Sequence, residues 1–286
     1  MNQTEKIALE VAKIKNLPPL PEASIRIITA VNDPEISIDE LVEVILLSPV
    51  LTARLLGLAN SAYFGRTGQI KDLRVAIIQI LGLKLVKSLA ISIVLNVEMD
   101  TSKCKLFDAN YFWCHALVSA VIAERLAIHI NDELMSASTV YTSALLLNIG
   151  LLVAVYLFPS ELNDVFKNSD KTEGSVSKAM RLYLGQTQYE LGGILLDRWQ
   201  LPEVYLAVVK EFRQPEFQGK EKLLIELLEL THWISSYIVC NKQDNLPDVT
   251  DLLQRLSLSR EIFDSVVTDV INNKDSIEEL ASCISG

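Results

Sequence analysis

Residues 47–65 constrain the fold of this chain more than any other part of its sequence. Ser48 favours the N-cap of a helix, and Pro49 suits the first helical position, where its missing N–H costs nothing. Apolar residues then recur at helical spacing, at Leu51, Leu55, Leu58 and Ala59. Asn60 and Gly65 end the run, because both tolerate the left-handed backbone that stops a helix. The pattern predicts a short buried helix followed by a tight loop.

The composition favours a helical protein with a large core and disfavours direct nucleic-acid binding. Half of the 286 residues are apolar, only 11 are glycine, and no period-2 strand pattern or fixed-length repeat occurs. The formal net charge is −10, and an acidic surface repels phosphate backbones. The predicted helix Pro49–Ala59 carries only Arg54 as a charged group, so a DNA-reading role for it is rejected.

Nothing in the sequence predicts secretion or a membrane span. Residues 1–6 lack the basic-then-apolar layout of a secretory signal. The longest strongly apolar run, residues 144–158, is interrupted by Asn148 and is shorter than the roughly 18–20 residues that a span needs. We therefore expect two buried helices that meet at Gly150. No cysteines form a C-x-x-C pair, so we expect reduced cytosolic thiols, mostly buried, at Cys104, Cys114, Cys240 and Cys283.

Two further pairs of residues predict where helices begin. Ser37 with Glu40, and Thr187 with Glu190, have the spacing of a capping box. The glycine pair at 192–193 falls inside the second of these helices, where close helix packing explains it better than phosphate binding. The polar residues 99–105 are expected to link two lobes, and residues 168–174 to form a surface loop.

The residues taken by themselves offer no catalytic constellation. The three histidines, His115, His129 and His232, are isolated, and no H-E-x-x-H, G-x-S-x-G, Walker or G-x-G-x-x-G motif occurs. Cys114 and His115 are adjacent, so on a helix their side chains point in different directions and cannot form a nucleophile–base pair. An isolated helical histidine is more often structural than a metal ligand.

Several of these motifs resemble the HDOD family of bacterial signalling domains. Residues 17–21, Leu-Pro-Pro-Leu-Pro, are similar to the opening of the family. Residues 47–65 are similar to its Asp-Pro-x-L-x-A-R-L-L-x-L-A-N-S-A-x-F/Y-G signature, except that Ser48 stands where Asp is common. Residues 73–85 resemble the helix pair that follows. The second half is similar to the family's version of the HD phosphohydrolase core, at residues 112–115, 144–150 and 185–202.

The resemblance covers roughly residues 10–215 and implies an all-α fold. The expected architecture is a two-lobed, multi-helix HDOD/HD-like bundle with a helical C-terminal extension. The signature lobe is expected at residues 1–102, the degenerate HD-like lobe at 103–215, and the extension at 216–286.

The resemblance also implies that the metal site of active HD enzymes is degenerate in this chain. His115 occupies the position of the first metal-binding histidine, whereas Leu147 and Asn148 replace the His-Asp doublet of active relatives. Gln188 stands where a further histidine is common, and Glu211-Phe212 where another can occur. Leucine cannot coordinate a metal, and a neutral amide is a weak replacement for a carboxylate. We therefore expect no metal, no cofactor and no catalysis.

The function implied by the resemblance is a non-catalytic signalling or regulatory scaffold in the bacterial cytoplasm. Because no receiver or GGDEF-type segment is found, we expect a stand-alone module that receives its input through a protein partner. The expected contact surface lies around the signature loop, although a purely structural role for the loop, locking the two lobes together, stays open. Its residues are Arg54, Asn60, Ser61, Tyr63, Phe64, Gly65 and Arg66.

Two alternative functions stay open. A residual metal-dependent phosphohydrolase acting on a nucleotide or cyclic dinucleotide predicts a divalent ion at His115. A nucleotide sensor that has kept the old pocket predicts a concave site lined by His115, Asn148 and Gln188, and a thermal shift with some nucleotide.

Overall fold

The architecture is helical throughout the residues that the computed structural model describes, which are 21–33, 35–60, 70–169, 173–240 and 248–285. No strand occurs in these ranges, which confirms the all-α prediction. The opening motif lies outside them except for Pro21. The helices are α1 Glu22–Asn32, α2 Ile38–Ile45, α3 Pro49–Ala59, α4 Leu73–Ala76 with the π-helical turn Ile77–Leu81, α5 Leu83–Glu98, α6 Ala109–Ala127, α7 Ala137–Leu146, α8 Ile149–Leu157, α9 Pro159–Lys167, α10 Glu173–Leu184, α11 Gln188–Arg198, α12 Glu203–Glu211, α13 Lys222–Val239, α14 Thr250–Arg255, α15 Arg260–Asn272 and α16 Lys274–Ser285.

Both predicted capping boxes are present and open the helices that they were expected to open. The Ser37 hydroxyl accepts from the backbone N–H of Glu40, whose carboxylate accepts from the N–H of Ser37 at 2.9 Å. Thr187 and Glu190 repeat the arrangement at the start of α11. Each box satisfies two backbone N–H groups that a helix leaves unpaired at its first turn. Local sequence therefore defines these starts. The predicted surface loop at 168–174 is shorter than expected, because α10 begins at Glu173.

The described residues divide into two compact units. The larger unit comprises residues 21–98, 110–145 and 218–285, and the smaller unit comprises residues 99–109 and 146–217. Both are discontinuous in sequence, whereas the segments 1–102, 103–215 and 216–286 expected from the sequence are continuous. The difference arises because α13 and α16, from the C-terminal part of the chain, bury their apolar faces in the unit that also holds α1–α6.

The larger unit is built around helix α5. α1, α3 and α16 all pack on α5, and α16 also contacts α3. In α6, the indole of Trp113 is fully buried and donates from Nε1 to the Asn96 side chain at 3.0 Å. The hydroxyls of Ser119 on α6 and Thr231 on α13 are 3.1 Å apart. Because buried polar groups need such partners, these bonds define how α6 faces its neighbours.

The smaller unit depends on an unusually close approach of α8 to α11, and α11 also packs on α12. A Cβ atom added to Gly150 would lie 1.9 Å from the carbonyl oxygen of Gln188. One added to Gly192 would lie 2.8 Å from Val209 Cγ1 on α12. This confirms that Gly192 serves helix packing. The predicted meeting point of two helices at Gly150 is wrong, since the break lies at Leu147 and Asn148 and Gly150 is already inside α8.

Among the residues that the structure describes, one stretch, Ala137–Leu157, is long and apolar enough to cross a membrane, with a mean hydropathy of 2.0. By the same criteria two sharply bent helix pairs would qualify only if each pair were counted as a single span. The apolar run predicted from the sequence, residues 144–158, was too short, because the helical residues from Ala137 onward also belong to this stretch. In the structure 78% of its most apolar window is buried within the protein. Apolar surface buried in this way is already removed from water without a bilayer.

Candidate functional site

The signature helix α3 has the capping and burial that the sequence predicts. The Ser48 hydroxyl accepts from the backbone N–H of Leu51, and Pro49 occupies the first turn. The predicted apolar stripe is buried, and it consists of Leu51, Leu55, Leu58 and Ala59. The helix is therefore held by its apolar face, and its polar residues are left for other contacts.

Asn60 ends α3 by a different route from the predicted one. Its φ angle of −97° is not left-handed, and its side chain forms the stop instead. The amide nitrogen donates to the carbonyls of Leu56 at 2.7 Å and Ile70 at 2.8 Å, while the amide oxygen accepts from the N–H of Ile70 at 2.6 Å. Asn60 thus binds both backbone groups of Ile70 and holds together the two ends of the segment 61–69. We call this set of bonds the Asn60 clamp.

Arg54 binds the C-terminal helix of its own chain. Its Nη1 atom donates to the backbone carbonyl of Ile284 and, at 3.4 Å, to that of Cys283, both in α16. A cation is favourable at this end of a helix because the last carbonyls are unpaired and carry partial negative charge. Of the seven residues predicted to form the contact surface, only Arg54 and Asn60 lie in the ranges that the structure describes. Both form hydrogen bonds to the backbone of their own chain. The other five, Ser61, Tyr63, Phe64, Gly65 and Arg66, lie outside the described residues.

His115, predicted to stand at the position of the first HD histidine, lies in α6 and is buried against α13. Its Nε2 atom is 2.9 Å from the hydroxyl of Ser235 and 2.9 Å from that of Ser236. The rings of His115 and His232 meet edge to face, with their centroids 4.6 Å apart and an interplanar angle of 71°. We call these four residues the His–Ser cluster. It lies wholly inside the larger unit.

The two serine hydroxyls that contact His115 also reach a backbone carbonyl of their own helix. They lie 2.9 and 3.1 Å from the carbonyl oxygen of His232, in geometry to donate to it. Each hydroxyl has one hydrogen, so a hydroxyl that donates to this carbonyl accepts from Nε2 of His115, and one that donates to Nε2 does not donate to the carbonyl. The direction of each bond follows the tautomer of the ring, and in both tautomers two serine hydroxyls of α13 contact Nε2.

The other predicted positions of the degenerate site lie in the smaller unit. Leu147 and Asn148 form the turn between α7 and α8, and the Leu147 side chain is buried. Gln188 is buried at the first position of α11, where its side-chain oxygen accepts from the Ser177 hydroxyl at 2.9 Å. Its backbone carbonyl faces Gly150 of α8. Gln188 is thus part of the tightly packed junction of α8 and α11, and Leu147 and Asn148 directly precede α8.

The metal-ligating side chains among the described residues are dispersed. No group of three or more histidines, cysteines, aspartates or glutamates is close enough to hold a metal ion in that part of the chain. Of the four cysteines, which form no disulfide, Cys104 and Cys114 are buried, Cys283 is half-buried and Cys240 is exposed. The prediction of mostly buried thiols is therefore only partly correct.

Sequence reasoning missed Ser235 and Ser236 of the His–Ser cluster, and it wrongly treated His115 and His232 as isolated, since their rings are in contact. His232, Ser235 and Ser236 form the pattern His-x-x-Ser-Ser in helix α13, most of whose buried residues are apolar. Residues at i, i+3 and i+4 share one helix face, so this polar group on a buried face could have indicated a polar partner elsewhere in the core.

Burial raises the pKa of the Cys114 thiol from an ordinary value of 9.0 to about 11, and the nearby Glu278 carboxylate acts in the same direction. Between pH 9 and 11 the unfolded thiol ionises while the folded one keeps its proton, so the free energy of unfolding falls as pH rises. We expect the variant Cys114→Ala to lose part of this alkaline decline. Urea unfolding of both proteins from pH 8 to 11 measures it, and identical pH profiles would contradict the assignment.

The described part of the chain is thus all-helical, and His115 takes part in a buried hydrogen-bond network with α13. Residues 17–215 match the HDOD domain, and because this match spans more than half of the chain, the protein belongs to the HDOD family.

Similar proteins agree with this fold. An uncharacterised protein from Treponema pallidum (strain Nichols) is 26% identical over 209 residues, which are 73% of this chain and 40% of that protein. A proposed signal-transduction protein from Marinobacter aquaeolei VT8 superposes with a TM-score of 0.79 at 24% identity, covering 95% of this chain and 60% of that one. A proposed phosphohydrolase from Shewanella amazonensis SB2B has a TM-score of 0.71 at 21% identity, covering 96% and 97%. The chain thus spans 40–60% of the length of the first two proteins.

Proposed function

We propose that this HDOD protein is a non-catalytic signal-transduction scaffold of the bacterial cytoplasm, which acts by binding another protein. The observation that carries the proposal is the position of His115. Its Nε2 atom is shared between two serine hydroxyls of α13, so the one histidine retained at the HD site has a structural use.

The chemistry of the neighbouring positions supports the same function. A catalytic divalent ion in an enzyme is held by several imidazoles or carboxylates, with an open position for water or substrate. Leu147 offers no donor atom, and the Gln188 amide is neutral and is bonded to Ser177. For Nε2 of His115 to bind a metal, the His–Ser cluster would first have to release its hydrogen bonds, and the Ser235 and Ser236 hydroxyls would need new partners.

The segment that follows α3 is the proposed contact surface for the partner. It includes Tyr63 and Phe64, and aromatic side chains are among the residues that contribute most to protein interfaces. The Asn60 clamp holds the ends of this segment together. Restraining the ends of a binding segment lowers the entropy lost when it binds.

The catalytic part of the proposal is tested with the purified full-length protein. We expect no stoichiometric retention of Mn²⁺, Mg²⁺ or Fe²⁺ by elemental analysis. We also expect no phosphate release from nucleotides, cyclic dinucleotides or generic phosphoesters above the level of the variant His115→Ala. Turnover that is present in the wild-type protein and lost in His115→Ala would establish the alternative function, a metal-dependent phosphohydrolase. A thermal shift with a nucleotide in the same panel would instead favour a sensor.

The interaction part of the proposal is tested by quantitative affinity capture from the native host. We expect the double variant Tyr63→Ala/Phe64→Ala to recover a specific partner at least about tenfold less well than the wild-type protein, as is typical for loss of interface aromatic residues. The matched control is Ile128→Ala/Leu182→Ala, which removes two exposed apolar side chains elsewhere. Equal recovery with both double variants would dismiss this segment as the contact surface.

A further inference from the structure

The corner at which α2 meets α3 carries three exposed apolar side chains within five residues. The two helices are bent by 119° where they join. Leu46, Leu47 and Val50 lie at this bend and are 54%, 40% and 45% exposed. Single exposed apolar residues are common on protein surfaces, whereas a contiguous group of them is typical of an interaction site. We call residues 46–50 the α2–α3 corner.

Hydrogen bonds hold the backbone of the α2–α3 corner in place. The N–H of Leu46 donates to the carbonyl of Val42 at 3.0 Å, and the N–H of Ser48 donates to the carbonyl of Ile45 at 3.0 Å. The Thr52 hydroxyl, on the other side of the corner, donates to the same Ile45 carbonyl at 3.3 Å. A surface that is already ordered loses little conformational entropy when a partner binds to it. The exposed side chains of the corner therefore lie on a rigid support.

The polar surface beside the corner is acidic. Residues 33–60 contain a single cationic residue, Arg54, whose guanidinium donates to the last carbonyls of α16. Cations from elsewhere in the chain approach this acidic stretch at two places, because Lys87 donates to the Asp33 carbonyl at 2.6 Å and Arg74 pairs with Asp39 at 2.7 Å. The stretch carries five exposed acidic residues, which are Asp33, Glu35, Asp39, Glu40 and Glu43.

Glu43 is the acidic residue next to the corner. It lies three residues before Leu46 and four before Leu47, and Leu46 keeps a helical backbone with a φ angle of −62°. Residues with this spacing share one helix face. Glu43 is exposed and forms no ion pair within the ranges that the structure describes. Its negative charge is therefore left for a partner that covers the corner.

The exposed face of α3 continues this surface without any charge. Val50, Ala53 and Gly57 are three and four residues apart, and all of them are exposed. Nothing lies within 4 Å of a Cβ atom added to Gly57. These small residues allow another backbone to come close to the signature helix, so the apolar surface of the corner extends along α3.

We propose that the α2–α3 corner binds a basic amphipathic segment of a partner protein, one that presents large apolar side chains flanked by lysine or arginine. The apolar side chains of the segment cover Leu46, Leu47 and Val50, and its cations lie beside Glu43. That the segment belongs to a signalling partner rests on the proposed scaffold function, whereas the chemistry that the corner recognises does not.

Charge favours this occupant over a second copy of the chain and over an anionic lipid surface. A symmetric dimer through the corner would bring the Glu43 carboxylates of two chains together, in a protein whose net charge is −10. Anionic lipid headgroups would meet the same repulsion. A basic segment instead has a potential complementary to that of the acidic surface, which speeds association and excludes wrong partners.

Fluorescence anisotropy with a defined peptide tests the proposal on the full-length protein. The probe is a rhodamine-labelled amphipathic peptide with leucine on one helix face and lysine on the other. We expect the variant Leu46→Ser/Val50→Ser to weaken binding of the probe by about tenfold, because the two most exposed apolar side chains of the corner are lost. The variant Glu43→Lys should weaken it by about fivefold, because attraction is replaced by repulsion.

Two matched controls separate the corner from the rest of the surface. Ile128→Ser/Ile271→Ser removes two exposed apolar side chains of the same unit, and Glu261→Lys makes the same change of charge at an exposed position of α15. Both should bind the probe within about twofold of the wild type. Circular dichroism checks that each variant is folded, and Glu43→Lys keeps the test decisive if the apolar variant does not fold.

Three results would overturn the proposal. The first is equal binding of the probe to the wild type and to Leu46→Ser/Val50→Ser. The second is a loss with Glu261→Lys as large as that with Glu43→Lys, because the peptide would then respond only to net charge. The third is a wild-type dimer, seen by sedimentation, that Leu46→Ser/Val50→Ser dissociates, because the corner would then belong to a second copy of the chain.

The failure of this inference and the failure of the proposed function have different signatures. Loss of the corner by any of these results leaves the scaffold function standing, since that function is tested by turnover and by the variant Tyr63→Ala/Phe64→Ala. Phosphohydrolase turnover that His115→Ala abolishes, together with binding of the probe at the corner, overturns the scaffold function and leaves the corner standing.

Discussion

The variant Gly150→Ala is expected to disrupt the smaller unit. The added Cβ atom would lie 1.9 Å from the carbonyl oxygen of Gln188 and 2.4 Å from the backbone nitrogen of Gly192. Both neighbours are backbone atoms of α11, so no side chain can rotate away and the two helices must separate. Overpacking of a closely packed core usually costs about 1–3 kcal/mol, and we expect about 3 kcal/mol or more at this site.

Urea unfolding followed by far-UV circular dichroism measures the loss. The matched control is Gly174→Ala in the same unit, because Gly174 is exposed in α10 and nothing lies within 4 Å of an added Cβ atom. Alanine is the better helix former, so this control should gain about 0.5–1 kcal/mol. A Gly150→Ala protein as stable as the wild type would show that α8 and α11 do not approach each other as described.

The variant His115→Ala is expected to destabilise the larger unit by about 2–4 kcal/mol. The substitution removes a buried ring that packs against His232 and leaves a cavity. It also removes the hydrogen-bond partner of the Ser235 and Ser236 hydroxyls. A histidine whose purpose was to hold a metal ion would respond differently, because its removal would abolish activity with little loss of stability of the metal-free protein.

The chain provides its own control for this substitution. His129 is exposed beyond the end of α6, so His129→Ala should change the free energy of unfolding by less than about 0.5 kcal/mol. Chemical denaturation of both variants in the presence of a chelator isolates the contribution of the His–Ser cluster. Equal stability of the two variants would remove the observation on which the proposed function depends.

Features that depend on neighbouring residues could be predicted. The caps at Ser37, Ser48 and Thr187 begin their helices where expected. A cap needs only a side-chain oxygen and an unpaired backbone N–H two or three residues away, so the local sequence is enough to predict it. The buried stripe of α3 followed from helical periodicity in the same way. The all-α fold itself follows from many such segments, each with the same preference.

Features that join distant parts of the chain could not be predicted in detail. Nothing near His115 indicates that its partners lie 120 residues later, nor does anything near Arg54 indicate that it binds the carbonyl of Ile284. Asn60 was correctly expected to end α3, but by its backbone conformation rather than by binding Ile70. A polar side chain at a buried position indicates that a hydrogen-bond partner is needed, but it does not indicate which residue supplies that partner.

The helical character of the chain and the caps at Ser37, Ser48 and Thr187 were determined by the sequence alone, since each is a property of residue type and spacing. Only the tertiary structure decided that α13 provides the partners of His115, that α16 covers the signature helix, and that Gly150 must lack a side chain. These are outcomes of packing, where the burial of apolar faces brings together segments that no local interaction connects.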